Sequence, residues 1–205
     1  MPDPVSITEP KQLAVEGQDA LVFFQVMLRE MNLTEIQLQN FGGVDELRGF
    51  LEGLRRQSGF AQTVVSLGIV RDAEQNPKGA FQSVCSALNN TGLDKPNRPE
   101  KFAGNSPKVG ALILPDATTK GMLETLCLRS VSDDPVMPCI EEYFRCVKKE
   151  LSPTELPKIE EKARLHAFLA SRPRPDLLLG EAASAGYWQW DNRAFDHVKQ
   201  FLRNL

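Results

Sequence analysis

The sequence predicts an α/β fold of about four mainly parallel strands flanked by helices, with a helical extension at its end. Two observations predict it: short apolar runs alternate with helical segments over residues 11–131, and only helical patterns follow from residue 132 to 205. Strands that alternate with helices favour a parallel sheet with right-handed crossovers. We therefore expect an α/β core at 11–131 and a helical extension at 132–205 packed on it.

Four short segments have the composition of strands. Residues 11–15 are an apolar run after an extended, proline-containing lead-in at 1–10, and residues 34–41 alternate between apolar and polar side chains as in an edge strand. Residues 64–70 and 109–114 are nearly continuous apolar runs, as expected of strands covered on both faces.

Helical spacing of apolar residues follows each of these strands and then continues to the end of the chain. Helices are predicted at 18–32, 44–57, 77–90, 121–131, 138–149, 157–171 and 193–205. The polar segment 91–108 is either a flexible connection or a flap over a site. Trp188 and Trp190 either stack on a base or, in the interpretation we favour, pin the last helix to the core.

The composition of the chain excludes several classes of function. No apolar run reaches the roughly 20 residues of a membrane helix, and the N-terminal Met-Pro-Asp-Pro lacks signal-peptide features, so we expect a cytoplasmic protein without membrane contact. The four cysteines match no zinc or redox spacing and are expected to be reduced packing residues. A net charge of −3 excludes a strong overall basic field, so any contact with nucleic acid must be local.

Acidic residues stand at the ends of three predicted strands. Glu16 follows the first strand, Asp72 the third and Asp116 the fourth; Glu74 lies two residues after Asp72, and Glu124 lies in the next helix. Carboxyl ends of parallel strands meet at one edge, where ligands bind in open α/β sheets. Clustered carboxylates raise each other's pKa, and a hard divalent cation removes that repulsion. This pattern favours phosphoryl transfer assisted by Mg²⁺ or Mn²⁺. The alternative for any single residue is helix capping.

These motifs resemble a known family of domains. Val15-Glu16-Gly17 at the start of a helix, Gly42-Gly43 after the second strand and Asp72-Ala73-Glu74 after an apolar strand resemble the Toprim domain. That domain occurs in bacterial primases, topoisomerases and the overcoming-lysogenization-defect nucleases. The resemblance covers roughly residues 11–131. The whole chain, including Gly121-Met-Leu-Glu124 and the tail 186–191, is similar to an uncharacterised Toprim-related prokaryotic family.

The resemblance implies a Rossmann-like Toprim fold with a metal site. Glu16 would be a metal ligand or proton shuttle, Asp72 and Glu74 would be catalytic metal ligands, and Asp116 and Glu124 would help to hold a second ion. The family usually has Asp-x-Asp where this chain has Asp-x-Glu. Its usual acid four residues after the first glutamate is replaced by Ala20, with Asp19 one position earlier as a further candidate ligand.

Four other residues are candidates for phosphate or substrate contact. Gly17 and the pair Gly42-Gly43 could admit a phosphate at a helix N-terminus, although a glycine pair alone is a weak signal. Lys120 follows the fourth strand and could meet a phosphate. The alternative interpretation is that it is an ordinary solvated surface charge.

The leading hypothesis is a Mg²⁺-dependent (or Mn²⁺-dependent), nuclease-like Toprim protein that cleaves phosphodiesters of nucleic acid in a defence or repair system. A second hypothesis is a non-catalytic Toprim-like binding or scaffold module, with a partner protein or a homodimer. A third is a small-nucleotide binder that uses the glycine turns. The sequence leaves these alternatives open.

Overall fold

The computed structural model describes residues 4–205, in which five strands form one sheet in the order β2-β1-β3-β5-β4. The strands are β1 (Lys11–Val15), β2 (Ile36–Asn40), β3 (Ser66–Asp72), β4 (Phe102–Ala103) and β5 (Lys108–Leu114). Strands β2, β1, β3 and β5 are parallel, and the short β4 pairs antiparallel to β5. The predicted fold class is therefore confirmed.

Nine α-helices lie in the described part of the chain. They are α1 (Gly17–Glu30), α2 (Leu47–Arg56), α3 (Phe60–Thr63), α4 (Pro77–Asn90), α5 (Leu123–Ser130), α6 (Met137–Glu150), α7 (Glu160–Ala170), α8 (Leu179–Ser184) and α9 (Asp196–Arg203). Short 3-10 turns at Val44–Glu46 and Arg193–Phe195 lead into α2 and α9.

Side chains alternate across the central strands and so divide the core into two layers. On β1, Leu13 and Val15 belong to one apolar cluster and Ala14 to the other, as the two-residue period of a strand requires. The first cluster contains the apolar faces of α1 and α5 to α9, and the second contains those of α2 and α4. The C-terminal helices thus share a core with the sheet.

The lead-in before β1 is held by two glutamines of the edge strand β2. Gln39 accepts a hydrogen bond from the amide of Val5 at 2.8 Å and donates one to its carbonyl at 2.9 Å. Gln37 donates to the carbonyl of Ser6 at 2.8 Å. The predicted lead-in covers residues 1–10, and its first three residues lie outside the described part of the chain.

The tryptophans contact the core, as the favoured interpretation requires. Trp188 is buried and stacks on Phe168, with ring centroids 5.6 Å apart. Trp190 contacts Phe23 of α1 at 5.3 Å and Phe195 at 5.4 Å. These rings therefore hold the start of α9 against α1.

The structure differs from the sequence prediction in several short elements. The segment 91–108 contains β4, whose two residues are too few to show an alternating pattern, and the helices α3 and α8 were not predicted because each is shorter than two turns.

Cys127 is buried, but Cys139 and Cys146 are exposed, so packing does not explain those two. None of the helices in residues 4–205 has the length and apolar composition of a membrane span.

Gly180 permits the close contact between α8 and α1. A Cβ at this position would lie 2.6 Å from the Cβ of Val22 and 2.9 Å from the carbonyl oxygen of Asp19. The second of these atoms is backbone and cannot rotate away, so a methyl group would push the helices apart.

We expect Gly180→Ala to lower the free energy of unfolding by about 1–3 kcal/mol, the usual cost of overpacking. Gly43→Ala is the control, because its methyl group would meet no atom within 4 Å, and it should change stability by about 0.5 kcal/mol or less. Urea unfolding measures both, and equal effects would contradict the close packing of α8 on α1.

Candidate functional site

Hydrogen bonds connect the carboxyl end of β2 to the turn between β1 and α1. Gly17 has φ +83°, a conformation that side chains disfavour, and it lets the chain turn from β1 into the helix. The Asn40 side chain accepts hydrogen bonds from the amides of Gly17 at 3.2 Å and Gly42 at 2.8 Å. Glu16 is thereby fixed at the N-terminus of α1, although it makes no side-chain capping bond there.

A cavity of about 230 Å³ lies at this edge of the sheet. We call it the acidic cavity, and its charged lining residues are Glu16, Asp19, Asp72, Glu124 and Lys162. Four sequence-predicted acids, from the ends of β1 and β3 and from the first turns of α1 and α5, are thus brought together. Gly17, a predicted phosphate contact, lines the same cavity.

Asp72 is held by the first turn of α5. Its Oδ1 accepts a hydrogen bond from the amide of Leu123 at 3.0 Å. Burial raises the pKa of Asp72 to about 8, and the charges of Glu124 and Glu16 act in the same direction. The fold therefore keeps a proton on this carboxyl group at neutral pH.

Glu16 has a carboxylate oxygen that lacks a partner. Its Oε2 is buried and accepts no hydrogen bond from any described residue. Burial raises the pKa of Glu16, while the Arg71 guanidinium and the backbone of Asp72 oppose that effect. A buried acceptor without a donor carries a desolvation cost that a bound cation or donor would relieve.

Lys162 on α7 was not identified from the sequence. Its Nζ lies 3.7 Å from Oε1 of Glu124, and it lowers the pKa of both Glu16 and Asp72. The sequence gives no signal for it, since a single lysine in a helix far along the chain has the pattern of a solvated charge.

Glu74 lies close to the acidic cavity without lining it. Its side chain is exposed, its φ is +51°, and its backbone pairs with Gly121 through hydrogen bonds of 2.7 and 2.8 Å. Its charge contributes to the raised pKa of Glu16. Of the Asp-x-Glu pair, only Asp72 lines the acidic cavity, and the backbone at Glu74 is left-handed instead of extended.

Asp116 lines a different cavity. Its Oδ1 accepts hydrogen bonds from Thr118 and Thr119, and its Oδ2 accepts one from Arg129 at 2.7 Å. Burial raises the pKa of Asp116, but the bond from Arg129 and those from the threonines outweigh it and lower the pKa below its ordinary value. This carboxylate already has its partners within the protein.

The remaining phosphate-contact candidates also lie outside the acidic cavity. The amide of Gly42 donates to Asn40, and the amide of Gly43 donates to Oε2 of Glu46 at 2.9 Å. Lys120 is exposed. Both glycine amides are thus engaged within the protein.

The donor set suits a hard divalent cation, because carboxylate oxygens are its preferred ligands and one of them is buried without a partner. The side chains are not drawn together as ligands, however. Within residues 4–205, no three histidine, cysteine or acidic side chains form a group that could hold a metal ion. Cation binding would require these carboxylates to move toward one another.

The sheet order, the parallel strands and the acidic cavity at their carboxyl ends define a Rossmann-like α/β protein. Its fold is similar to the C-terminal region of the OLD protein of Xanthomonas campestris pv. campestris. In the structure phased with platinum, the TM-score is 0.50 and the identity 12% over 95% of this chain and 91% of that chain. The structure phased with iodine gives a TM-score of 0.48 and 13% identity over 96% and 95%.

The chain belongs to the family described as "Protein of unknown function (DUF3226)", whose model matches residues 10–205. No curated protein matches the sequence. At this identity the similarity to the OLD region shows the fold alone.

We expect Asp72→Asn to stabilise the protein near neutral pH. Unfolding restores the ordinary pKa of 3.8 from about 8, so between these values the unfolded chain loses a proton that the folded chain keeps, and stability falls as pH rises. An asparagine side chain has no such proton to lose, so the variant does not lose stability in this way as pH rises. Its melting temperature should exceed that of the wild type by at least about 2–4 °C, equivalent to about 1 kcal/mol in a chain of this size.

Thermal unfolding followed by circular dichroism at several pH values measures this difference. Below pH 3.8 the two proteins should be similarly stable, because Asp72 is then protonated in both states. Asp176→Asn, which changes an exposed aspartate, is the control. A destabilised Asp72→Asn near neutral pH would show that the carboxylate is ionised and paired in the folded protein.

Proposed function

We propose that this protein is a Mg²⁺-dependent or Mn²⁺-dependent Toprim-type phosphodiester hydrolase, nuclease-like and acting on nucleic acid. The observation that carries the proposal is the acidic cavity, where Glu16 presents a buried, unpartnered oxygen beside Asp72 and Glu124. The motif resemblance and the OLD-like fold support the same class of chemistry.

Glu16, Asp72 and Glu124 are the residues that would hold the cation. When bound, a divalent ion of this kind lowers the pKa of a water molecule and neutralises charge that develops on phosphate oxygens. Glu124 is well placed to take part, because its side chain is only 15% exposed and has Lys162 as its sole ion-pair partner in the described chain.

A cation at the site would compete with a proton for Asp72, whose pKa burial raises to about 8. Glu16, whose pKa burial also raises, is the residue suited to exchange a proton with the reacting water. Lys162 supplies a positive charge at the cavity, where it can attract a phosphate group.

The second candidate function is a non-catalytic Toprim-like module that binds or scaffolds other components of a nucleic-acid system. The observation that favours it is the absence of a metal-ligating group of three in residues 4–205, together with the position of Lys162. A lysine beside Glu124 offsets part of the negative charge that would otherwise attract a cation.

Calorimetric titration with Mg²⁺ and Mn²⁺ separates the two candidates. We expect the wild type to bind the ion and Glu16→Gln to bind at least about tenfold more weakly, since even outer-shell changes cost 10–100-fold. Glu30→Gln, an exposed glutamate at the other end of α1, is the matched control. No binding by the wild type at millimolar ion would favour the non-catalytic module.

Cleavage of labelled DNA and RNA in the presence of Mn²⁺ tests the activity itself. Glu16→Gln should abolish cleavage while leaving the circular dichroism spectrum unchanged, because the side chain has no structural hydrogen bond at Oε2 to lose. Glu30→Gln should cleave as the wild type does. Undiminished cleavage by Glu16→Gln would refute the role of this residue.

A further inference from the structure

A second polar cavity of about 510 Å³ opens beyond the carboxyl end of β5. We call it the β5 cavity, and its charged or ionisable lining residues are Asp116, Arg129, Asp133, Arg193 and His197. We propose that it is a subsite for a backbone phosphate of the nucleic-acid strand whose scissile phosphodiester lies in the acidic cavity. The inference rests on the proposed function and assigns a substrate contact to it.

Two arginines provide the donors for such a phosphate. Arg129 gives one of its five N–H groups to Asp116, at 2.7 Å, which fixes the guanidinium in the wall of the cavity and leaves its other donors free. Arg193 is exposed and makes no ion pair with any residue in 4–205. Guanidinium groups that are held in place, or lack a carboxylate, suit phosphate recognition.

The two aspartates that line the β5 cavity differ in their effect on a bound anion. Asp116 has both oxygens occupied by internal donors, so its charge is largely offset. Asp133 is exposed and has no ion pair within the described chain, so it opposes an anion. His197 is oriented by a hydrogen bond of 2.8 Å between Nε2 and the carbonyl of Pro115, which can only accept; Nε2 therefore carries a proton.

The helix α5 connects the two cavities. Its first turn contributes Glu124 to the acidic cavity, and its last turn contributes Arg129 to the β5 cavity. Glu124 and Arg129 are five residues apart, which places them about 7.5 Å apart along the helix axis and rotates their side chains by roughly 140° around it. A strand that passes around α5 would therefore contact both cavities across several nucleotides, at about 3.4 Å each.

Binding of a labelled single-stranded oligodeoxynucleotide in EDTA, measured by fluorescence anisotropy over a range of salt concentrations, tests the subsite without metal or cleavage. Arg193→Gln should weaken binding about tenfold, as expected for a lost charge-assisted hydrogen bond. The slope of log affinity against log salt should fall by about 0.7, the value for one phosphate contact on a single strand. Asp133→Asn should strengthen binding severalfold.

Two control variants test whether the change in binding is specific to the β5 cavity. Arg203→Gln and Asp176→Asn change exposed charges that do not line the cavity and should leave affinity and slope unchanged. Equal effects of Arg193→Gln and Arg203→Gln, or no binding by the wild type, would overturn the subsite. So would equally tight binding of AMP, since the occupant would then be a mononucleotide.

These outcomes are independent of the proposed hydrolase activity. A protein that binds no divalent ion but shows the Arg193 and Asp133 effects would retain the subsite and lose the hydrolase assignment. A protein that binds the ion and cleaves DNA, with no effect at Arg193, would retain the assignment and lose the subsite.

Discussion

The burial of like charges at one edge of the sheet is the constraint on which the site depends. Parallel strands bring Glu16 and Asp72 to the same edge, and α5 adds Glu124 beside them. Water cannot fully solvate these groups, so the fold accommodates them in three ways. It keeps a proton on Asp72, it donates the amide of Leu123, and it places Lys162 nearby. Each offsets part of the negative charge at this edge.

The same edge shows how differently a fold can treat two aspartates. Asp72 and Asp116 follow the adjacent strands β3 and β5, which are paired as far as Asp72 and Leu114. Arg129 and two threonines satisfy Asp116 and lower its pKa. Asp72 has a single backbone donor, and burial together with the charges of Glu124 and Glu16 raises its pKa. A carboxylate whose hydrogen-bond partners all lie within the protein stabilises the structure. A carboxylate that lacks such partners is available for chemistry.

Much of the fold could be predicted from sequence, because strands β1, β3 and β5 and the longer helices have strong apolar periodicity. The short elements could not, since two-residue β4 and six-residue α8 are set by tertiary contacts. The meeting of Glu16 and Asp72 follows from the parallel direction of β1 and β3, whereas Glu124 on α5 was proposed from the family resemblance. The separation of Asp116, the left-handed backbone at Glu74 and the position of Lys162 beside Glu124 depend on tertiary contacts that spacing does not encode.

The shared core has a consequence for the smallest unit that can be isolated. Helix α8 and the rings of Trp190 and Phe195 pack on α1, and Leu179 and Lys162 form part of the wall of the acidic cavity. A recombinant fragment that stopped at residue 131 would leave this face of α1 in water, inviting aggregation. It would also open the acidic cavity to bulk solvent and remove the ammonium group of Lys162 from its wall. Biochemical dissection of this protein by truncation would thus remove the very environment being investigated.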